Sequence, residues 1–287
     1  MRTLPRILLA FLVVVSMAHG LAGGGGDGSY RPILHALVSA GLFALVLAVE
    51  RFCRELSAAA GRAARTALCC LFLPVVFSAM GWLLPAVHPE PFEWTFAWLD
   101  ARILGDRAAF AHLPWPLVDL LQITYASFYA IPIAAAVLAG RKSGARAFDR
   151  SMVILTFGFL ASYLGYLLVP TLGPAVALPG LEGPRGSWLA ARLHEWIDAA
   201  EANRWDCFPS GHTMMSLMSL HVVRRWARAF TVPFAVVVGI LIASTILLRY
   251  HWVADVLAGA ALAPICMRIA DRMLDADGVP RVGEERI

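Results

Sequence analysis

The sequence predicts an all-α polytopic membrane helical bundle, and three observations predict it. The 287 residues are 59% hydrophobic and only 15% charged, with a mean hydropathy of +0.68, whereas soluble chains average about 25% charged. Apolar runs at about 33–50, 66–87, 117–140, 151–171, 211–223, 231–248 and 252–270 approach the roughly 20 residues that cross a hydrocarbon core as a helix. Every second connection between these runs is basic, the pattern of loops sorted to the two sides of a bilayer.

In chain order, residues 1–32 carry Arg2 and Arg6, an apolar stretch at 7–17, and the small residues around Ala18-His19-Gly20. Such a segment is either a secretory signal or a retained first membrane helix. The glycines at 23–26 and Asp27-Gly28-Ser29 follow as a flexible connection. Residues 33–87 supply additional membrane helices, residues 88–275 the membrane domain that carries the chemistry, and residues 276–287 a cytoplasmic tail.

Arg51, Arg54, Arg62 and Arg65 cluster in one turn, and Arg141, Lys142, Arg146 and Arg150 in the next but one. Arg224, Arg225 and Arg228 form a third cluster, with Arg268 and Arg272 at the far end. By the positive-inside rule these face the cytoplasm, so 88–116, 172–210 and the turn at 249–251 face outward, whether or not the first segment is kept. Residues 88–116 are rich in proline and aromatics, including Trp94, Trp98 and Trp115, as expected at a headgroup interface. Leu189, Leu193, Trp196, Ile197 and Ala200 recur at helical spacing, predicting an amphipathic interfacial helix over 187–203 that caps the bundle or touches substrate.

The charge balance, 24 Lys+Arg against 20 Asp+Glu, contains no basic tract and offers no nucleic-acid surface. Five cysteines make no disulfide framework. Cys207, beside an outward-facing motif, reads as a small buried packing residue rather than a redox or metal group.

Two stretches stand out: Cys207-Phe208-Pro209-Ser210-Gly211-His212-Thr213 and Arg249-Tyr250-His251-Trp252-Val253-Ala254-Asp255. One helix down, a basic turn and one helix back separate them, so both histidines arrive on one side. Ser210 is a favourable N-cap, and the backbone N–H groups beside Gly211 form a ready anion site. His251 and Asp255, four residues apart, share a helix face. An aspartate inside a membrane helix is costly unless paired, and a carboxylate on one imidazole nitrogen leaves the other as a nucleophile. This is equipment for two-step phosphoryl transfer, in which His251 attacks phosphorus, His212 protonates the leaving oxygen, and the phosphohistidine passes to water or another acceptor. The phosphoryl oxygens need cationic partners, for which Arg249 is nearest and Arg204 and Arg185 follow. Asp119 and Tyr125 could touch substrate or bond between helices. The chemistry calls for no metal and no cofactor. The same two histidines and carboxylate would also suit zinc or iron, which leaves open a metal-binding membrane protein or transporter.

These residues resemble the type 2 phosphatidic acid phosphatase (PAP2) superfamily. Its second signature, Pro-Ser-Gly-His, is matched by Pro209 to His212, and the His-x-x-x-Asp ending of its third by His251 to Asp255. The Ser-Arg that usually begins the third signature is replaced by Ser244 and Thr245, and the first signature, Lys, six residues, Arg-Pro, is absent. The stretch 165–174, Gly-Tyr-Leu-Leu-Val-Pro-Thr-Leu-Gly-Pro, is more similar to the inositol phosphorylceramide synthase and sphingomyelin synthase relatives. The resemblance implies a PAP2-like six-helix core preceded by N-terminal helices. It implies an integral-membrane phosphatase of lipid phosphates or prenyl diphosphates that draws its substrate from the bilayer. A bacterial inner membrane with the site on the extracytoplasmic side is the expected location. The alternative it implies is a phospho-headgroup transferase, with His251, His212 and Asp255 as the triad in either case.

Overall fold

The computed structural model describes residues 3–22, 32–88, 90–105, 107–178, 183–200 and 203–278. The glycine-rich linker at 23–31 and the tail from 279 onward lie outside these residues. Among the described residues the chain forms eleven α-helices and no β-strand. They are α1 (Thr3–Leu21), α2 (Pro32–Cys53), α3 (Ala58–Val87), α4 (Glu93–Leu104), α5 (Trp115–Ala126), α6 (Ala130–Leu168), α7 (Pro174–Ala177), α8 (Trp188–Ala200), α9 (Gly211–Trp226), α10 (Thr231–Leu247) and α11 (Val253–Ala276). Helices α1, α2, α3, α6 and α11, and α10 together with the 3-10 turn that leads into it (Arg228–Leu247), each hold a segment long and apolar enough to cross a membrane. The expected polytopic helical bundle is what the chain builds.

The structure parts from the apolar runs at one place and keeps the expected basic turn at another. The run at 117–140 is interrupted at Ser127-Phe128-Tyr129, a tight turn closed by Phe128 N–H to the Tyr125 carbonyl (3.0 Å) and Ala130 N–H to the Ser127 carbonyl (2.9 Å). The long helix α6 is two helical segments joined at Gly144, whose φ of 84° breaks the helix. Glycine takes this left-handed conformation without a Cβ penalty, and Arg141, Lys142 and Arg146 flank it.

The centre of the bundle is α6 against α9. Met214, Met215 and Met218 are fully buried, and a Cβ at Gly158 would lie 2.6 Å from Met218 Sδ. The missing side chain is what lets the two helices close, as small residues do between membrane helices. Leu4, Leu8, Phe11 and Leu12 of α1 are buried in the same core. Thr3 Oγ1 donates to Asp277 (2.6 Å) and Arg6 pairs with it (2.5 Å). Helix α1 is thus packed as a full member of the bundle.

The basic connections gather at one end. Arg150, completely buried, pairs with Asp271 (3.0 Å) and Asp275 (3.2 Å), and Arg225 reaches Asp271 at 2.8 Å. Arg62 meets Asp149 (3.2 Å) and Arg65 meets Glu50 (2.7 Å). The opposite end carries α4, α5, α7 and α8. Helix α9 has 16 residues, about 24 Å at 1.5 Å per residue, shorter than the ~30 Å hydrocarbon core. Its first turn lies in a covered recess, with Ser210, Gly211 and Thr213 all buried.

Candidate functional site

Two helix starts meet in this recess. At α9, Ser210 Oγ accepts the Thr213 N–H (3.2 Å), the cap expected from sequence. The space a side chain at Gly211 would fill is already occupied by the Tyr166 hydroxyl, with Ser162 Oγ 3.5 Å away. Glycine here permits the close approach of α6 to α9, a packing demand in addition to the anion access read from sequence. At α11, Asp255 Oδ2 accepts the Trp252 N–H (2.8 Å), and Asp100 of α4 accepts the Val253 N–H (2.9 Å). The Ser210 N–H donates to the Asp255 carbonyl at 3.0 Å, which ties the two motifs together.

The histidines converge. His212 Nδ1 lies 3.1 Å from His251 Nε2, with ring centroids 5.2 Å apart. His251 Nδ1 lies 3.1 Å from the Cys207 carbonyl oxygen and 3.4 Å from Asp255 Oδ2. A carbonyl can only accept, so His251 carries its proton on Nδ1 and presents the Nε2 lone pair to His212, whose Nδ1 is the donor. His251 is 4% exposed and Asp255 is fully buried, so the carboxylate answers to its three neighbours rather than to water. The His212 ring is stacked on Tyr125 (4.6 Å) and against Phe128 (4.1 Å). Tyr125 also stacks on Tyr250 at 3.9 Å, and the Tyr250 hydroxyl meets Gln122 (2.9 Å) and His194 of α8 (2.8 Å). The break after α5 is what brings Tyr125 and Phe128 to His212.

The three arginines are placed differently. Arg249, at φ 66°, turns its guanidinium to the carbonyls of Pro174 (3.3 Å) and Leu178 (3.0 Å). Arg204 pairs with Asp198 (2.6 Å) and is exposed, as is Arg185. Ser244 and Thr245, where the signature Ser-Arg pair would fall, are buried and bond back to the α10 carbonyls of Leu241 (2.6 Å) and Ile242 (2.7 Å). Asp119 accepts the Ser187 N–H at 2.7 Å, fixing the start of α8.

Two site residues escaped the sequence reading. Cys207, expected to be plain packing, sets its thiol 2.8 Å from Asp255 Oδ2 and 3.2 Å from His251 Nδ1. Burial pushes that thiol well above its ordinary pKa, and the charge of Asp255 and then its hydrogen bond add to the effect. Asp206 lines a recess with His212, Gly211, Ser162, Tyr166 and Phe128. Burial raises its carboxyl to about 6, against the opposing pull of His251, a backbone hydrogen bond and Arg204. Their one sequence signal was adjacency to Pro209-Ser210-Gly211-His212. No curated protein and no solved structure shows significant similarity to the chain. The PAP2 superfamily model matches residues 95–269, more than half of the sequence and every residue of the histidine–aspartate cluster, and the chain belongs to that superfamily.

Proposed function

We propose that this protein is a membrane phosphatase of lipid phosphates or prenyl diphosphates that works through a phosphohistidine on the extracytoplasmic side. The observation that carries this reading is the 3.1 Å contact between His212 and His251, with Asp255 behind the latter. Superfamily membership supports phosphatase or related phosphotransferase chemistry. The orientation follows from the basic end of the bundle facing the cytoplasm.

In the first step the Nε2 lone pair of His251 attacks phosphorus as the P–O bond to the lipid breaks, and the leaving oxygen takes a proton from His212, which acquires its second proton from the incoming phosphate monoanion. In the second, neutral His212 takes a proton from water, the water oxygen attacks phosphorus, and the P–N bond breaks to restore His251. The two nitrogens must part to about 6 Å, one attack distance plus one hydrogen bond, for the phosphoryl group to enter. The phosphoryl oxygens are received at the first turn of α9, by the N–H groups beside Ser210 and Gly211. Arg249, Arg204 and Arg185 are the cations of this reading, with Arg249 exchanging carbonyl partners for phosphate.

A second reading, transfer of a phospho-headgroup to an alcohol, is favoured by the absence of the signature arginine at Thr245, as in the inositol phosphorylceramide synthase-like branch. Purified protein in detergent, given labelled phosphatidic acid and a prenyl diphosphate with and without an alcohol, tests both. Inorganic phosphate release without alcohol, with label trapped on a histidine and no loss on chelation, supports the phosphatase. Product only with alcohol supports the transferase. Loss of activity on chelation supports the metal reading, and no labelled histidine on any substrate overturns the mechanism.

Two expected results follow. His212→Ala lowers kcat by about 10²–10⁴-fold on alkyl phosphates and far less on an aryl phosphate whose leaving group needs no proton. Asp206 brings a pH dependence. Its raised pKa means the folded state holds the proton more tightly than the unfolded chain. The stability so contributed is complete below the ordinary value of 3.8 and is lost as pH rises through about 6. The ionised carboxylate also repels the phosphate substrate, so KM rises between about pH 5 and 7. KM measured against pH should show this rise flattened in Asp206→Asn.

A further inference from the structure

The geometry points to a second, inhibitory use of the same helix ends: we propose that Cys207, His251 and Asp255 form a site for a thiophilic divalent cation, Zn²⁺ or Cd²⁺. The three ligand atoms already form a tight triangle, with Sγ–Nδ1 at 3.2 Å, Sγ–Oδ2 at 2.8 Å and Nδ1–Oδ2 at 3.4 Å. Tetrahedral zinc, with bonds of about 2.3 Å to sulfur and about 2.0–2.1 Å to nitrogen or oxygen, sets such ligands about 3.3–3.6 Å apart. The triangle therefore needs to widen by less than about 1 Å. The Cys207 carbonyl, 3.1 Å from Nδ1, stands next to it as a further oxygen. Asp255 Oδ1, the oxygen outside the triangle, is buried and has no hydrogen-bond partner among the described residues, so the carboxylate keeps unused acceptor capacity. One thiolate and one carboxylate neutralise a divalent cation, which is what a buried site requires.

Binding is balanced by one proton. The thiol proton leaves to solvent as the S–metal bond forms, and the ring proton of His251 moves from Nδ1 to Nε2 as Nδ1 gives its lone pair to the metal. That shift places hydrogen on the nitrogen that attacks phosphorus, so the metal-bound and reactive forms of His251 exclude each other. The site stands on geometry alone; its consequence for turnover rests on the function proposed above.

The test uses the full chain in detergent titrated with Cd²⁺, read by the ultraviolet thiolate-to-cadmium band. The wild type should saturate at one cation per chain, and Cys207→Ser, which keeps Cys53, Cys69, Cys70 and Cys266, should bind at least tenfold more weakly. Asp255→Asn should weaken binding as well and serves if Cys207→Ser fails to fold. Zn²⁺ should inhibit turnover of the wild type, with full recovery on chelation, and inhibit Cys207→Ser at least tenfold less potently relative to its own rate. Equal cadmium binding by wild type and both variants, or none by the wild type, overturns the site whatever the activity. A cadmium band in a protein that hydrolyses no lipid phosphate would leave the site standing and sink the phosphatase.

Discussion

His251→Ala is expected to lower kcat by about 10⁴-fold or more and to abolish the labelled phosphohistidine, because the variant has no lone pair at the point of attack. The effect is specific to the ring. The His251 backbone N–H is bonded to the Thr245 carbonyl at 2.8 Å, and that bond survives the substitution. Fully buried Trp252 next to it, anchored by its indole N–H on the Leu172 carbonyl at 2.8 Å, keeps the start of α11 in place. His212 cannot substitute, since stacking on Tyr125 and Phe128 fixes its ring on the opposite side of the reacting group. The space left is bounded by Cys207, Asp255 and His212, and free imidazole at high concentration should restore part of the rate. Single-turnover assays on a labelled lipid phosphate, with and without imidazole, measure both effects. Full activity in His251→Ala on every substrate tested would refute the histidine mechanism.

Much of the bundle was legible because a hydrocarbon core imposes a length, and runs such as 231–248 and 252–270 can be read against it; α10 and α11 fall where expected. The convergence of His212 and His251 was legible as well, since two helix starts on one side of a bundle have few places to go. The interruption at Ser127-Phe128-Tyr129 was not, because an apolar run does not reveal a turn whose freed backbone groups are met by local bonds. Nor were the roles of Cys207 and Asp206. Both lie in a loop, and the direction of a loop side chain is set by tertiary partners rather than by periodicity. The parallel contact of Thr171 with Asp206, with Cys207 N–H on the Thr171 carbonyl (3.1 Å), is such a constraint. The arginines show the same limit from the other side. Nearness in sequence to His251 does not reveal that the Arg249 guanidinium bonds the carbonyls of Pro174 in α7 and of its C-cap Leu178, the partners it would exchange for phosphate.

Asp255→Asn is expected to cost about 10²-fold in kcat with KM little changed, and the reason it should cost no more lies in the Cys207 carbonyl. An aspartate behind a histidine does two things: it holds the tautomer, and its charge stabilises the ring when that becomes cationic. Where the tautomer is lost the penalty reaches about 10⁴-fold. Here the Cys207 carbonyl lies 3.1 Å from Nδ1, nearer than the 3.4 Å of Asp255 Oδ2, so Nδ1–H keeps an acceptor in the variant and Nε2 stays free to attack. What is lost is the negative charge facing the phosphorylated ring, a contribution that a neutral carbonyl cannot replace. The asparagine oxygen can still accept the Trp252 N–H that Asp255 Oδ2 holds at 2.8 Å, so the helix start persists and binding with it. Steady-state kinetics beside the ¹⁵N spectrum of His251 separates the two roles. A 10²-fold loss with the Nδ1–H tautomer intact assigns the charge to Asp255 and the tautomer to Cys207, whereas a 10⁴-fold loss with the proton moved to Nε2 gives both to the carboxylate. An unchanged rate would reduce Asp255 to a helix cap.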